Sequence, residues 1–209
     1  MLKYQMLENF TSAERKILKA LKTPKKIQDF VDRLKINFDK GHDTCRSPRQ
    51  VLKTGKAHCI EAAMLAAAAL RLQGRTPWLV DLESAKHDDD HVIAVFKQFD
   101  CWGAISKSNH AVLRYREPVY RTIHELVLSY FHEYTDSKGK KTLRKFAGPI
   151  NLARFDKLNW STAAEDVWFV PEYLVKAKHQ LILNRRQISN LRRADLIERK
   201  IGQITQYHR

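Results

Sequence analysis

The sequence predicts an α+β fold: a buried helix headed by Cys59, a small antiparallel sheet after it, and additional N- and C-terminal helices. Two observations carry this expectation. The stretch GKAHCIEAAMLAAAALRLQGR, Gly55 to Arg75, is rich in alanine and leucine and reads as one buried helix running from Ala57 to Leu72. Directly after it the period changes. TPWLVDLES and HVIAVFKQF are apolar, β-branched and aromatic, the pattern of strands, and CWGAISK follows as a shorter third. The turn FDCW between the last two makes them an antiparallel hairpin.

In chain order, TSAERKILKALK opens with Thr11 three residues before Glu14, a capping-box pattern that starts a helix. TPKKIQDFVDRLKI repeats the signal, with Thr23 as cap, Pro24 in the first turn, and Ile27, Phe30, Val31 and Leu34 on one face. The loop NFDKGHDTCRSPRQ follows, and Ser47 caps a turn around PRQVLKTG. Gly74 then supplies the residue just past the end of the alanine-rich helix.

Beyond the strands, REPVYRTIHELVLSYFHEYT reads as helix, with Ile123, Leu126, Val127, Tyr130 and Phe131 at helical spacing. SKGKKTLRKFAGPINLARF reads as a polar turn and an irregular connection. NWSTAAEDVWFVPEYL reads as a short helix with two tryptophans as core anchors. From Glu172 onward, Leu174, Ala177, Leu181, Ile188, Leu191, Ala194, Ile201 and Ile204 recur in steps that predict one long amphipathic helix. Its other face is basic, with nine Lys or Arg against three acids between Glu172 and Arg209. That face is either solvated or docks an acidic protein partner. The expected organisation is one domain over residues 1–171, with the basic helix over 172–209 packed on it.

Charge and cysteine usage narrow the class. The net charge of +15 attracts nucleic acid, anionic lipid or acidic protein. The basic residues are spread along the chain with no aromatic-basic repeat, so nucleic acid is not the expected partner. MLKYQMLENF has no apolar run of signal-peptide length, and EAAMLAAAALRL is too short to span a membrane and stops at Arg71. Cys45, Cys59 and Cys101 are odd in number and lack CxxC spacing, which points to a reducing cytoplasm and excludes a cysteine-rich zinc site. The acidic run HDDDH suggests metal ligands, but adjacent residues on one loop rarely converge on one ion, and no metal is expected.

The chemistry centres on Cys59. Its plainest reading is a small apolar residue at the start of a buried helix. A thiol in a helix's first turn, however, meets free N–H groups and a partial positive charge, which favour the nucleophilic thiolate. A nucleophile also needs a base from another element. His91 begins a strand right after the acidic loop, at a strand mouth that a helix N-terminus can face. His58 adjoins Cys59 but is expected to point about 100° away around the helix.

The ordered set HCIEAAMLAAAALRLQGRTPWLV, HVIAVF and WGAIS resembles the transglutaminase-like superfamily, whose fold is that of papain-like cysteine peptidases. The similarity covers residues 47–108. It implies a papain-like core, the Cys-headed helix packed on the sheet, with Cys59 as nucleophile and His91 as base. The third position falls on Ser106, where the family has Asp, and Asn109 three residues on is the alternative orienting amide. Gln50 is the candidate oxyanion donor, with the Cys59 backbone N–H as the other hydrogen bond. The implied activity is acyl transfer at a protein or peptide amide through a thioester, ending in hydrolysis or transamidation, with neither metal nor organic cofactor. The alternative is a catalytically silent member that keeps the fold for binding through its basic surface.

Overall fold

A computed structural model describes residues 9–38 and 42–208 of the chain. The reading of MLKYQMLENF rests mainly on residues outside this range.

Two capped helices lead in, α1 (Ser12–Ala20) and α2 (Pro24–Arg33). Thr11 and Glu14 form the expected capping box, and the Thr23 hydroxyl accepts from Lys26 N–H. The short strand β1 (Lys35–Ile36) follows, then α3 (Pro48–Thr54), capped by Ser47. Gly55 ends α3 at φ 66°, a left-handed conformation that costs glycine nothing. The chain then turns into β2 (Lys56–Ala57), which pairs in parallel with β1. This clasp ties the end of α2 to the entrance of the next helix.

That helix, α4 (Cys59–Leu72), is the centre of the molecule: every residue from Ile60 to Leu70 is buried. Its alanines remove the side-chain bulk that would hold neighbouring elements away. It starts two residues later than the sequence predicts, because Ala57 belongs to β2 and His58 has extended backbone at φ −94°, ψ −172°. Its C-terminus is as expected. Gly74 has φ 84° and Arg75 N–H bonds to the Leu70 carbonyl, satisfying orphan carbonyls of the last turn.

The predicted strands are β3 (Trp78–Ser84), β4 (His91–Gln98) and β5 (Cys101–Ile105). With β6 (Arg116–Tyr120), β7 (Leu143–Asn151) and β8 (Gln180–Leu181) they form a six-stranded antiparallel sheet in the order β6-β5-β4-β3-β7-β8. The fold is therefore α+β. Helix α4 covers one face through Leu79, Val92, Ala94 and Phe96. Helix α5 (Ile123–Phe131) lies on the other, against Val80, Leu82, Ile93 and Val95. Burial on both faces explains why β4 reads as an unbroken apolar run.

Three expectations between Arg116 and Trp168 need correction. The connection read as irregular contains β7, whose Arg144, Lys145 and Gly148-Pro149 hide a strand made by pairing with β3, with Lys145 meeting Glu83 at 2.8 Å. The segment REPVY is the edge strand β6, where Pro118 is tolerated, and only Ile123 onward is helix. Of the two tryptophans, Trp160 is buried but Trp168 is 43% exposed.

The long C-terminal helix does not form. Residues 172–208 hold the end of α6 (Phe169–Lys176), β8, α7 (Arg185–Ser189) and α8 (Leu196–Gln203). The backbone extends at Ala177, and the His179 ring is drawn onto Asp81 at 3.0 Å and Glu83 at 3.3 Å, which delivers β8 to β7. Asn184 and Asp195 then cap new helices with their side chains, bonds that compete with helix continuation. The predicted stripe is split, because Leu181 is exposed on β8 while Ile201 and Ile204 are exposed on α8 and at its C-cap. Among the described residues, no helix is long and apolar enough to cross a membrane.

Candidate active site

Cys59 is the first residue of α4, so its N–H has no acceptor within the helix and its sulfur lies at the positive end of the helix dipole. The β1–β2 clasp positions this turn from outside. Asn37 N–H bonds to the Ala57 carbonyl, and the Asn37 side chain reaches Glu61.

Glu61 organises the turn. Its carboxylate is completely buried and accepts from His58 N–H at 3.0 Å, Thr44 Oγ1 at 2.7 Å, Arg46 N–H at 2.9 Å and Asn37 Nδ2 at 3.2 Å. Sequence reasoning missed it, although an acid three residues after a helix cap is a capping-box signal.

His58 also departs from expectation. The 100° offset holds only between residues that share helical backbone, and His58 precedes the helix. Its ring therefore folds towards the Cys59 side chain, near enough for the two groups to shift each other's pKa. Nε2 lies 2.9 Å from the Thr44 carbonyl, which only accepts, so Nε2 carries a proton and Nδ1 is left for the sulfur. A Glu61 oxygen lies 3.5 Å from the same ring.

His91 and Ser106 are where the sequence places them. His91 opens β4, and its Nε2 is 2.7 Å from Ser106 Oγ. The Ser106 hydroxyl donates to the Leu113 carbonyl at 2.6 Å, so it accepts from His91. This chain fixes the tautomer: the proton sits on Nε2 and the other ring nitrogen is left for Cys59, whose thiol pKa the ring helps to lower.

Burial alone would raise the Cys59 thiol above its ordinary value of 9.0, but the hydrogen bonds and charges of His58 and His91 outweigh it and bring it down to about 5. Burial pushes His58 down, but the Cys59 and Glu61 charges and the Thr44 carbonyl prevail and lift it from 6.5 to about 9. Cys45 behaves in the opposite way, with burial and the Glu61 charge driving it up to about 12. Of these two thiols, one is built to ionise and the other to stay protonated.

Two predicted residues lie outside this cluster. Asn109 is engaged at both ends by the backbone of Tyr207, donating to its carbonyl and accepting from its N–H, each at 3.0 Å, so it does not orient His91. Gln50 closes the capping box of α3, accepting from Ser47 N–H at 2.7 Å and donating to the Ala164 carbonyl at 2.8 Å. Its side chain is turned to the α3 cap and Ala164, and Gln50 is not among the residues lining the cleft at Cys59.

Cys59, His58 and His91 open onto a cleft of about 1290 Å³. The half-exposed Trp168 stands at it, with Tyr134 and Tyr207. The acidic loop forms part of its wall, but Asp90 turns to Ser84 N–H at 2.7 Å and His87 to Asp136 at 3.2 Å. Compared with models of known protein families and with curated proteins, the chain matches none of them.

Proposed function

We propose that the protein is a thiol acyl-transfer enzyme of transglutaminase-like type, with a papain-like core, acting on an amide of a protein or peptide. One observation carries the reading: a partly exposed thiol at the free N-terminus of a buried helix, lining a large cleft together with two imidazoles that lower its pKa. The Cys59 thiolate attacks the carbonyl carbon, the C–N bond breaks to give a thioester, and water or an amine resolves it. His91, oriented by Ser106, is a base of the reaction. The Cys59 N–H, unused within the helix, supports the developing oxyanion. Neither a metal nor an organic cofactor is required for these steps. The three free cysteines support a cytoplasmic setting.

A second reading, a catalytically silent binding module, is favoured by the hydroxyl of Ser106 standing behind His91 in place of a carboxylate. One experiment separates the two. p-Nitrophenyl acetate and peptide amides are offered to the protein and the intact mass is followed. The enzyme gives a burst of one product per chain, an adduct mapped to Cys59 that hydroxylamine removes, continued turnover, and none of these in Cys59→Ala. Absence of both burst and turnover in the unaltered protein rejects the enzyme and leaves the module.

A further inference from the structure

The acyl-transfer reading needs one base for the thiol, yet two imidazoles line the cleft with Cys59 and act on its sulfur. We propose that His58, backed by the buried Glu61 carboxylate, is the resident acceptor of the Cys59 proton, and that His91 is a separate base that activates the second nucleophile. This inference rests on the reading of Cys59 as an acyl-transfer nucleophile.

The two rings differ in what lies behind them. Behind His58 are the Thr44 carbonyl at 2.9 Å and a Glu61 oxygen at 3.5 Å. Both ring protons of an imidazolium there have acceptors, Thr44 on Nε2 and the thiolate on Nδ1, and a full negative charge sits beside the ring. Glu61 is held in place by neutral donors, Thr44 Oγ1, Asn37 Nδ2 and two backbone N–H groups, so these bonds do not cancel its charge. Behind His91, among the described residues, is a relay of dipoles, the Ser106 hydroxyl and the Leu113 carbonyl. A hydroxyl fixes a tautomer but does not offset a cation, and the nearest acid in sequence, Asp90, is turned away to Ser84. The other titratable groups that act on this sulfur or feel its charge, Cys45 and Tyr134, are both raised by burial and remain neutral.

The proton accounting follows. In the resting site the S–H bond is broken and His58 Nδ1 holds the proton. As the thiolate forms the C–S bond and the C–N bond breaks, the leaving nitrogen takes that proton. Water then forms the C–O bond while His91 Nδ1 removes its proton, and the C–S bond breaks to regenerate the thiolate. The proton on His91 returns to His58 through solvent in the cleft, and the released acid ionises.

Glu61 never touches the substrate and is a positioning residue; His58 touches the reacting sulfur. The test reads the pH dependence of Cys59 alkylation by iodoacetamide, peptide by peptide, in the full chain. The unaltered protein has its midpoint near pH 5. His58→Asn raises the midpoint by roughly two units and Glu61→Gln by roughly one, as loss of a charged partner requires. His91→Asn, which removes a second imidazole from the same sulfur, raises it by less than His58→Asn does and arrests deacylation, so the acyl-enzyme accumulates. If His91→Asn raises the midpoint and His58→Asn does not, the proposal is overturned and the acyl-transfer reading stands. If the unaltered protein has an ordinary thiol midpoint, both fall. A measurement free of folding defects runs beside it. At pH 7, nitrogen NMR of the unaltered protein shows His58 doubly protonated and a proton on His91 Nε2; a His58 ring that carries only one proton overturns the proposal.

Discussion

The most direct prediction concerns the rate at which Cys59 meets a small electrophile as pH is varied, measured against the same cysteine in the urea-unfolded chain. With its thiol brought from 9.0 to about 5, Cys59 is about nine-tenths thiolate at pH 6, whereas the unfolded cysteine is thiolate in about one part per thousand. That is a gain of roughly 900-fold in reactive species. A weaker base is also a weaker nucleophile. With a Brønsted slope of about 0.4–0.5, a shift of about four units costs about 40- to 100-fold per thiolate. The net expectation at pH 6 is that folded Cys59 reacts roughly tenfold to twentyfold faster than the unfolded reference.

At pH 9 the order reverses. The reference is then half ionised and Cys59 gains nothing more, so the folded protein reacts roughly 20- to 50-fold more slowly. The curves cross near pH 7, at about the point where the reference's ionised fraction equals the nucleophilicity ratio. The assay is iodoacetamide labelling quenched over time, with mass spectrometry of each cysteine peptide. Cys45, buried and raised to about 12, stays unlabelled in the folded chain at both pH values and serves as internal control. A Cys59 rate that climbs tenfold per pH unit from 6 to 8, parallel to the unfolded chain, would refute the claim that the two imidazoles hold a thiolate.

Three further outcomes follow from the same contacts. Stability in urea falls as pH drops from 6.5 towards 5, because the unfolded chain then binds up to one proton more than the folded one; the loss is about 1 kcal/mol. Between 6.5 and 9 the proton missing from Cys59 is the one kept by His58, so stability is level there, and Cys59→Ala abolishes the acid-side slope. Ser106→Ala removes the acceptor of His91 Nε2 and the donor to Leu113, frees the ring to change tautomer, and is expected to lower turnover by about 10- to 100-fold with little change in KM. His179→Ala leaves Asp81 buried and uncompensated and is expected to cost about 2–4 kcal/mol in urea unfolding, with much of it recovered in the double variant His179→Ala/Asp81→Asn.

What the sequence showed and what it concealed divide along a physical line. Local rules held wherever the neighbouring chain decides the outcome: Thr11, Thr23 and Ser47 cap their helices, Gly74 ends α4, and the hairpin of β4 and β5 pairs as read. They failed where a distant partner decides. β7 exists because β3 offers it an edge, despite two basic residues and a Gly-Pro step. The C-terminal segment kept a helical period in its apolar residues, yet His179 is claimed by carboxylates nearly a hundred positions away. At the site, positions read from the order of elements, Cys59, His91 and Ser106, come together. Those chosen for the chemistry of a lone amide, Asn109 and Gln50, are consumed by backbone partners.

The same division explains why the carboxylate was sought in the wrong place. The resemblance implies an acid behind the strand histidine, and the structure has a hydroxyl there. An acid does serve the cluster, but from the helix itself, two residues past the thiol and beside the other imidazole. A buried carboxylate is tolerable only with several donors, and the first turn of α4 is one of the few places that supplies them, through the N–H of its own cap and the returning loop at Thr44 and Arg46. From Ala62 to Leu70 the helix offers the core only apolar side chains. Its polar chemistry is concentrated in the one turn that faces the cleft, and the sulfur lies there between a ring that shares its surroundings with a charge and a ring that does not.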